Sequence, residues 1–418
     1  MLFRFSLYGF LKNLRLFDAF LLLALRDRGL DFQAIGTLVA IRELVVIALE
    51  VPSGALADAL GRRRCMVASM AGYVAFSVLM WRGDGYWLLA AAMACHGFGD
   101  AFRSGTHKAM ILAWLRGRGR LGEKTRIYGL TRSWSQIGSA CSALGGGALL
   151  LAGADYDSMF AGYAAIATLN LINLASYPAE LDERGDAAQP RGALSATWHR
   201  LRDTLRRSLG SGELRATLLI GAAITGGYEV AKGYLQPLLE TLAESLPVAQ
   251  QLAPQQRTGV LVAIVSALLF VLSSLASRHA HRVEAALGGT ARCTSALATW
   301  QALGLLLVGV ASWLGLPWLG VSLFVALAVG HNLWRPVLVG RLGETSHGDE
   351  TATVLSIESQ ASSLAAALFA PAIGTLVDLA AGGAAPTPFA ALWPVGLLAA
   401  PLLLARAING VRPRTTDT

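Results

Sequence analysis

Twelve apolar runs, each about as long as a helix that crosses a bilayer, divide the chain, and shorter polar stretches separate them. About 20 mostly apolar residues are enough, because a helix rises about 1.5 Å per residue. The first six runs predict helices over Ser6–Leu25, Phe32–Ala57, Arg64–Trp81, Tyr86–Leu115, Ile127–Ala152 and Ser158–Tyr177. The second six predict Ala216–Leu239, Thr258–Ala276, Cys293–Trp313, Pro317–Leu342, Thr351–Ala380 and Phe389–Ile408. Between the two sets the hydropathy breaks, and Pro178–Arg215 carries Glu180, Asp182, Glu183, Arg200, Arg206 and Arg207 among other charges. Within it, Leu194–Leu209 sets Leu and Trp against Arg at helical spacing, which predicts an amphipathic linker lying at the membrane surface. The expected organisation is a six-helix bundle over residues 1–178, a cytoplasmic linker over 179–213, a second bundle over 214–408 and a cytoplasmic tail over 409–418. The longest loop between helices, Glu240–Arg257, is expected to hold a short helix.

Composition agrees. The chain is 54% hydrophobic and 15% charged, against about 25% charged in soluble domains. The net charge of +8 does not imply a nucleic-acid partner, because the basic residues sit between apolar runs and form no single face. Alternate loops hold Arg62–Arg64, then Arg116, Arg118, Arg120, Lys124 and Arg126, then the linker arginines, Arg278, Arg282, Arg292 and Arg341. The other loops hold only Arg26, Arg28, Arg82 and Arg257, so the positive-inside rule places both termini in the cytoplasm. The first run carries Lys12, Asn13 and Arg15 and has no small-residue cleavage site, so it is expected to remain as a membrane helix. Cys65, Cys95, Cys141 and Cys293 form no Cys-x-x-Cys pair and read as small buried hydrophobes, neither disulfides nor metal ligands.

One polar stretch has a fixed pattern. Gly54-Ala55-Leu56-Ala57-Asp58-Ala59-Leu60-Gly61-Arg62-Arg63-Arg64 joins the second and third runs. Gly54 leaves room for a close helix approach, Asp58 suits the positive N-terminal end of a neighbouring helix, Gly61 permits a reversal, and the arginines hold the loop inside. The pattern Gly-x-Leu-x-Asp-x-x-Gly-Arg-Arg resembles the loop between helices 2 and 3 of the major facilitator superfamily, and six runs, a linker and six runs are that superfamily's plan. The resemblance implies an all-α membrane protein with twelve transmembrane helices in two pseudo-symmetric six-helix bundles. It implies a gating role for Gly54, Asp58, Gly61, Arg62 and Arg63 against the start of helix 11, near Thr351–Ser356. That start, Ala352-Thr353-Val354-Leu355-Ser356, is similar to bacterial drug–proton antiporter-like members, which implies the bacterial inner membrane. Two antiporter motifs are absent. Met93-Ala94-Cys95-His96-Gly97 stands where such members have Arg-x-x-Gln-Gly, and Cys141-Ser142-Ala143-Leu144-Gly145-Gly146 keeps the glycines of Gly-Pro-x-x-Gly-Gly without the Gly-Pro. Gly374-Thr375-Leu376-Val377-Asp378 repeats the Gly54–Asp58 spacing without trailing arginines and reads as a packing relic.

Charges inside a membrane run face a partner or a cavity. Here they gather on four runs: Lys12, Asn13, Arg15 and Asp18 on the first; His96, Asp100, Arg103, His107 and Lys108 on the fourth; Glu229 and Lys232 on the seventh; His331, Asn332 and Arg335 on the tenth. In the resembled family, helices 1, 4, 7 and 10 line the central cavity, and helices 3, 6, 9 and 12 are support helices. His96, Asp100, Arg103 and His107 fall on one helical face. Asp100 is the first candidate for proton coupling, followed by Asp18 and Glu229, with a structural pair as the alternative for each. Arg15, His96, Arg103, Lys232, His331 and Arg335 are the substrate-binding candidates. Glu229 and Lys232 could neutralise each other, Arg335 precedes Pro336 and could sit at a kink, and Arg42 and Glu43 are expected to pair with Glu358 or with the first helix. Bases slightly exceed acids on these runs, which points to a substrate with an anionic group.

The expected activity is secondary transport of a small molecule by alternating access, with proton-coupled export of an amphipathic or anionic compound placed first. Uptake by symport, exchange or uniport of an anionic nutrient or metabolite is second. The expected partners are the lipid bilayer, the substrate and protons; no cofactor, metal or nucleic acid is expected, and the protein is expected to be a monomer. No His-Glu-x-x-His, Gly-x-Ser-x-Gly or nucleotide-binding Gly-x-x-x-x-Gly-Lys motif points to an enzyme or an ATP-driven pump.

Overall fold

A computed structural model describes the chain apart from residues 105, 179–180, 182–198, 200–201, 209, 347–349, 384–388 and 411–418, and apart from the side chains of 58–59, 125 and 405–410. The described residues form fourteen α-helices with short 3-10 turns, and no strand occurs among them. In order they are α1 (Leu2–Asn13), α2 (Leu21–Asp27), α3 (Phe32–Leu60), α4 (Arg62–Arg82), α5 (Tyr86–Arg103), α6 (Thr106–Gly117), α7 (Lys124–Leu151) and α8 (Tyr156–Ala175). Then follow α9 (Gly212–Ser245), α10 (Pro254–Ala286), α11 (Thr290–Trp313), α12 (Pro317–Thr345), α13 (Thr351–Gly382) and α14 (Ala399–Gly410). This is the twelve-span plan with two spans split into two helices each and the last one changed in kind. Most of the expected linker and tail lie outside the described residues, but residues 202–208 of the linker are helical.

The first span is not continuous. The sequence predicts a helix from Ser6 to Leu25, but α1 stops at Asn13 and α2 starts at Leu21. The residues between carry Arg15 and Asp18, and side chains take carbonyls at the end of α1: Arg15 Nε donates to Lys12 O at 3.3 Å and Asn13 Nδ2 to Gly9 O at 2.9 Å. The fourth span is split too, between Arg103 and Thr106, where Thr106 Oγ1 donates to the carbonyls of Phe102 and Ser104. Non-helical backbone at membrane depth is tolerated where protein or a cavity satisfies it. The last span opens as a 3-10 helix, Ala390–Leu398, around Pro394, before α14. The short helix expected in Glu240–Arg257 is absent: α9 continues to Ser245 and α10 starts at Pro254, which shortens the loop.

By contact the chain divides into two units. The first is Met1–Leu30, Thr37–His199 and Ala243–Phe270, and the second is Asp31–Gly36, Arg200–Leu242 and Val271–Thr418. The division runs within α3, α9 and α10, so single helices belong to both.

In the first unit α4 packs on α5 and α8, and α1 on α7 and α8. Phe17 stacks on Phe160 at 5.1 Å and lies 5.1 Å from Phe76, so the break in the first span is pinned by aromatic rings. Arg28 ties the end of α2 to Met80 O and to the Asp157 carboxylate. Asp155 caps α8, accepting from Ser158 N at 2.9 Å and Ser158 Oγ at 2.6 Å, and these bonds hold its carboxyl below the usual carboxylate range. Asp155→Ala is expected to lower thermal stability in detergent by about 1 kcal/mol. The cap's contribution is present above the ordinary aspartate range and fades as pH falls through the depressed folded value, so the wild-type advantage over Asp155→Ala should vanish in strong acid.

In the second unit α11 packs on α12 and on the 3-10 helix, and α13 on the 3-10 helix and α12. The first turn of α3 is also held here. Asp378, near the end of α13, accepts from Phe32 N at 3.1 Å and Gln33 N at 2.7 Å, caps that helix start, and favours its positive end. Phe32 stacks on Tyr234 of α9 at 5.6 Å. Asp378 is therefore more than a packing relic. Of the cysteines, Cys65 and Cys293 are buried as expected, whereas Cys141 is exposed on α7.

Candidate functional site

The split spans of the first unit bring their charged residues together. Asp100, on the last turn of α5, is the centre. Its Oδ1 accepts from Arg103 Nη2 at 3.0 Å and from the Tyr73 hydroxyl, and lies 3.6 Å from Arg15 Nη2. Arg103 Nε donates to the Tyr73 hydroxyl at 3.0 Å, and the Arg15 guanidinium lies 4.9 Å from the Tyr73 ring centre. His96, one turn before Asp100, is 3% exposed and packs edge-on to Phe76 at 4.6 Å. Arg15 Nη1 lies 3.4 Å from His96 Nε2. Arginine has no acceptor, so Nε2 must accept, which puts the ring proton on Nδ1, 3.3 Å from Asp100 Oδ2 but out of line for a hydrogen bond.

The predicted stripe of His96, Asp100, Arg103 and His107 thus survives the break in the fourth span as two parts. His107 lies past the break, with its ring 4.0 Å from that of Tyr8, and His107 Nε2 and the Tyr8 hydroxyl are both buried without a partner. Two arginines, Arg15 and Arg103, share the carboxylate of Asp100. Ser104 Oγ, at the break, lies 3.4 Å from Glu50 Oε1 and donates to it, which joins the fourth span to α3.

Sequence reasoning left Tyr73 out. It lies on the third span, among the expected support helices, yet it is fully buried and bonds both Asp100 and Arg103. A tyrosine amid apolar residues carries no periodic signal, and only the packing of α4 on α5 exposes its role. Asp18 sits in the break between α1 and α2 and is exposed.

The second unit holds a different arrangement. Lys232 pairs with Glu229 one turn away on α9, at 2.5 Å. His331 stacks on Tyr228 at 3.8 Å and 11°, with Nδ1 buried and unpartnered. Arg335 Nη1 donates to both oxygens of Glu358 at 2.7 Å, so its setting is an ion pair and not only the kink at Pro336. Arg42 Nε donates to Oε1 of its neighbour Glu43 at 3.1 Å, its flexible stem spanning the angle between adjacent residues.

Of the glycine motif, Gly61 adopts φ +104°, the reversal between α3 and α4. Arg63 Nη1 donates to Tyr177 O at 2.7 Å, and Arg62 is half-buried. Among the described residues no atom lies within 4 Å of a Cβ built at Gly54. The Asp58 side chain lies outside the described residues. No cluster of metal-ligating side chains occurs among the described residues.

Among the described residues six helices, α4, α8, α10, α11, α12 and α13, are long and apolar enough to cross a membrane by length and composition alone. Among the remaining spans, those of α1–α2, α3, α5–α6 and α9 carry the charges described above. The sequence profile of the Major Facilitator Superfamily matches residues 13–370. No curated protein sequence matches the chain. Among solved structures it is similar to the nucleoside transporter NupG, with TM-score 0.77 and 11% identity, covering 98% of this chain and 99% of that one. It is similar to the peptide transporter POT in complex with sulfate, with TM-score 0.71 and 14% identity, covering 97% of this chain and 94% of that one. A D-xylose-proton symporter matches with TM-score 0.69 and 15% identity, covering 100% of this chain and 97% of that one. At such identities the likeness is one of fold. With the profile match over most of its length, the chain belongs to the Major Facilitator Superfamily and is a multi-pass membrane transporter, not an enzyme.

Proposed function

We propose that the protein is a proton-coupled secondary transporter of a small amphipathic or anionic compound, working by alternating access as a monomer in a bacterial inner membrane with both termini inside. The observation that carries this reading is the cluster of the first unit, where Arg15 and Arg103 share one carboxylate, Asp100. A surplus of positive charge at membrane depth is costly unless an anion joins it. The buried hydroxyl of Tyr8 and His107 Nε2, both without a partner, supply further groups for such a ligand. Asp100 is the first proton-coupling group, with Asp18 and Glu229 after it. Arg15, His96, Arg103, Lys232, His331 and Arg335 bind substrate, and Gly54, Asp58, Gly61, Arg62 and Arg63 gate the cytoplasmic side.

Export takes first place for direction, on the resemblance of the Ala352–Ser356 segment to drug–proton antiporters. Uptake by symport is the second reading, and the pairing of a half-exposed arginine with a fully buried carboxylate in the second unit favours it. In proteoliposomes holding a pH-sensitive dye, anions, zwitterions and drugs are added one at a time across an imposed pH gradient. Compound-dependent proton flux that Asp100→Asn abolishes is the expected result, and its sign separates antiport from symport. Flux untouched by Asp100→Asn removes Asp100 from the coupling role. Labelled substrate crossing with no proton flux makes the protein a uniporter or exchanger.

A further inference from the structure

Resting on the reading of the substrate as an anion, we infer that Glu358 is a second proton-accepting group, and that it takes its proton when the substrate's anionic group draws Arg335 away. Glu358 lies two turns into α13 and is 0% exposed, whereas Arg335 on α12 is 41% exposed. The carboxylate accepts four hydrogen bonds: two from Arg335 Nη1 at 2.7 Å, one from Ser362 Oγ at 3.0 Å and one from Thr225 Oγ1 at 3.5 Å. Among the described residues Glu358 is the sole partner of Arg335. One member of the pair is thus reachable by a ligand and the other is not.

The remaining partners matter most. Ser362 and Thr225 are hydroxyls, which accept as readily as they donate. A neutral Glu358 can turn its O–H to either of them and leave no polar group unsatisfied. An ionised Glu358 without Arg335 would be an uncompensated charge in a dry site, which is far costlier. The site is therefore built for two charge states.

Few other ionisable groups adjoin this site. Glu229 lies one turn beyond Thr225 on α9 and pairs with Lys232. His331 lies one turn before Arg335 on α12 and stacks on Tyr228. The 3-10 helix Ala390–Leu398, packed on α13, carries none. When a carboxylate or phosphate of the substrate binds the Arg335 guanidinium, the arginine keeps its charge and one proton from water goes to a Glu358 oxygen. When the anion leaves, Arg335 returns and the proton departs. Anion and proton load together, so this pair couples the two in the same direction across the membrane.

The test needs no substrate, because Arg335→Gln reproduces the loss of the arginine. Infrared spectra of wild type, Arg335→Gln and the Arg335→Gln/Glu358→Gln double variant are recorded in detergent at neutral pH. A carboxylic-acid stretching band in Arg335→Gln that is missing from wild type and from the double variant is the expected result. A Glu358 that stays ionised in Arg335→Gln overturns the inference. Should Arg335→Gln fold poorly, Arg335→Lys titrated toward low pH replaces it, and its acid band should then appear at higher pH than in wild type; an unchanged titration counts against the inference. The failure is distinct from failure of the transport reading: proton-coupled flux without the band places coupling at Asp100 alone, and the band without coupled flux leaves Glu358 a proton site in a protein that does not transport an anion.

Discussion

Asp100→Ala is expected to lower the stability of the folded protein by about 3 kcal/mol, a large effect for one residue, because breaking a buried charge network leaves its opposite charges uncompensated. Arg15 and Arg103 are both held by this carboxylate, and their side chains are 14% and 26% exposed. Without it Arg15 and Arg103 lose the carboxylate they share and repel each other at membrane depth. Asp100→Asn keeps an oxygen that accepts from Tyr73 or Arg103, so it should lose less, about 1–2 kcal/mol. Arg15→Gln should lose less than Asp100→Ala, since Arg103 and Tyr73 remain on the carboxylate. Thermal unfolding of the three variants in one detergent gives the order directly. Equal stability of Asp100→Ala and wild type would mean that water or lipid headgroups, not Asp100, balance these cations.

The order of these effects shows how far the sequence reaches. Hydropathy gave the spans, because burying apolar surface in lipid needs only length and composition. Periodicity placed His96, Asp100 and Arg103 on one face, and they do meet. It missed that the first and fourth spans are broken, since Leu14–Phe20 contains no proline and the fourth span offers only the weaker signal of the pair Ser104-Gly105. There the backbone is freed by side chains, Arg15 to Lys12 O and Thr106 to Phe102 O, and those bonds are visible only in three dimensions. Pairings were the least legible part. Arg335 and Glu358 lie on different spans, and no spacing in the sequence joins them. Tyr73 and the hydroxyls of Thr225 and Ser362 carry no charge, so a survey of charged residues passes them by.

Gly374→Ala is the second large prediction, and it concerns the contact that holds the first turn of α3. A Cβ at Gly374 would sit 2.2 Å from Phe32 O and 2.6 Å from Phe32 C, and one at Gly36 would sit 2.3 Å from Ala370 O. These neighbours are backbone atoms, so no rotamer change relieves the clash and α3 and α13 must move apart by about 1 Å, at a cost of about 1–3 kcal/mol. The Asp378 bonds to Phe32 N and Gln33 N, at 3.1 and 2.7 Å, lengthen with them. Val377, 0% exposed beside Asp378, is a suitable reporter as Val377→Cys in a protein with Cys65, Cys95, Cys141 and Cys293 replaced. Its labelling by a polar maleimide should quicken ~10-fold in Gly374→Ala, the equivalent of weakening the closed contact by about 1.4 kcal/mol. Gly382→Ala, on the same helix with nothing within 4 Å of its Cβ, should label as the parent does. Equal rates in all three would mean that the contact yields without opening. A rise confined to Gly374→Ala would make Asp378 and the two glycines one closing device. Such a device is physically reasonable because a carboxylate on a helix N-terminus gains from the dipole only while the two helices touch, and the glycines are what let them touch.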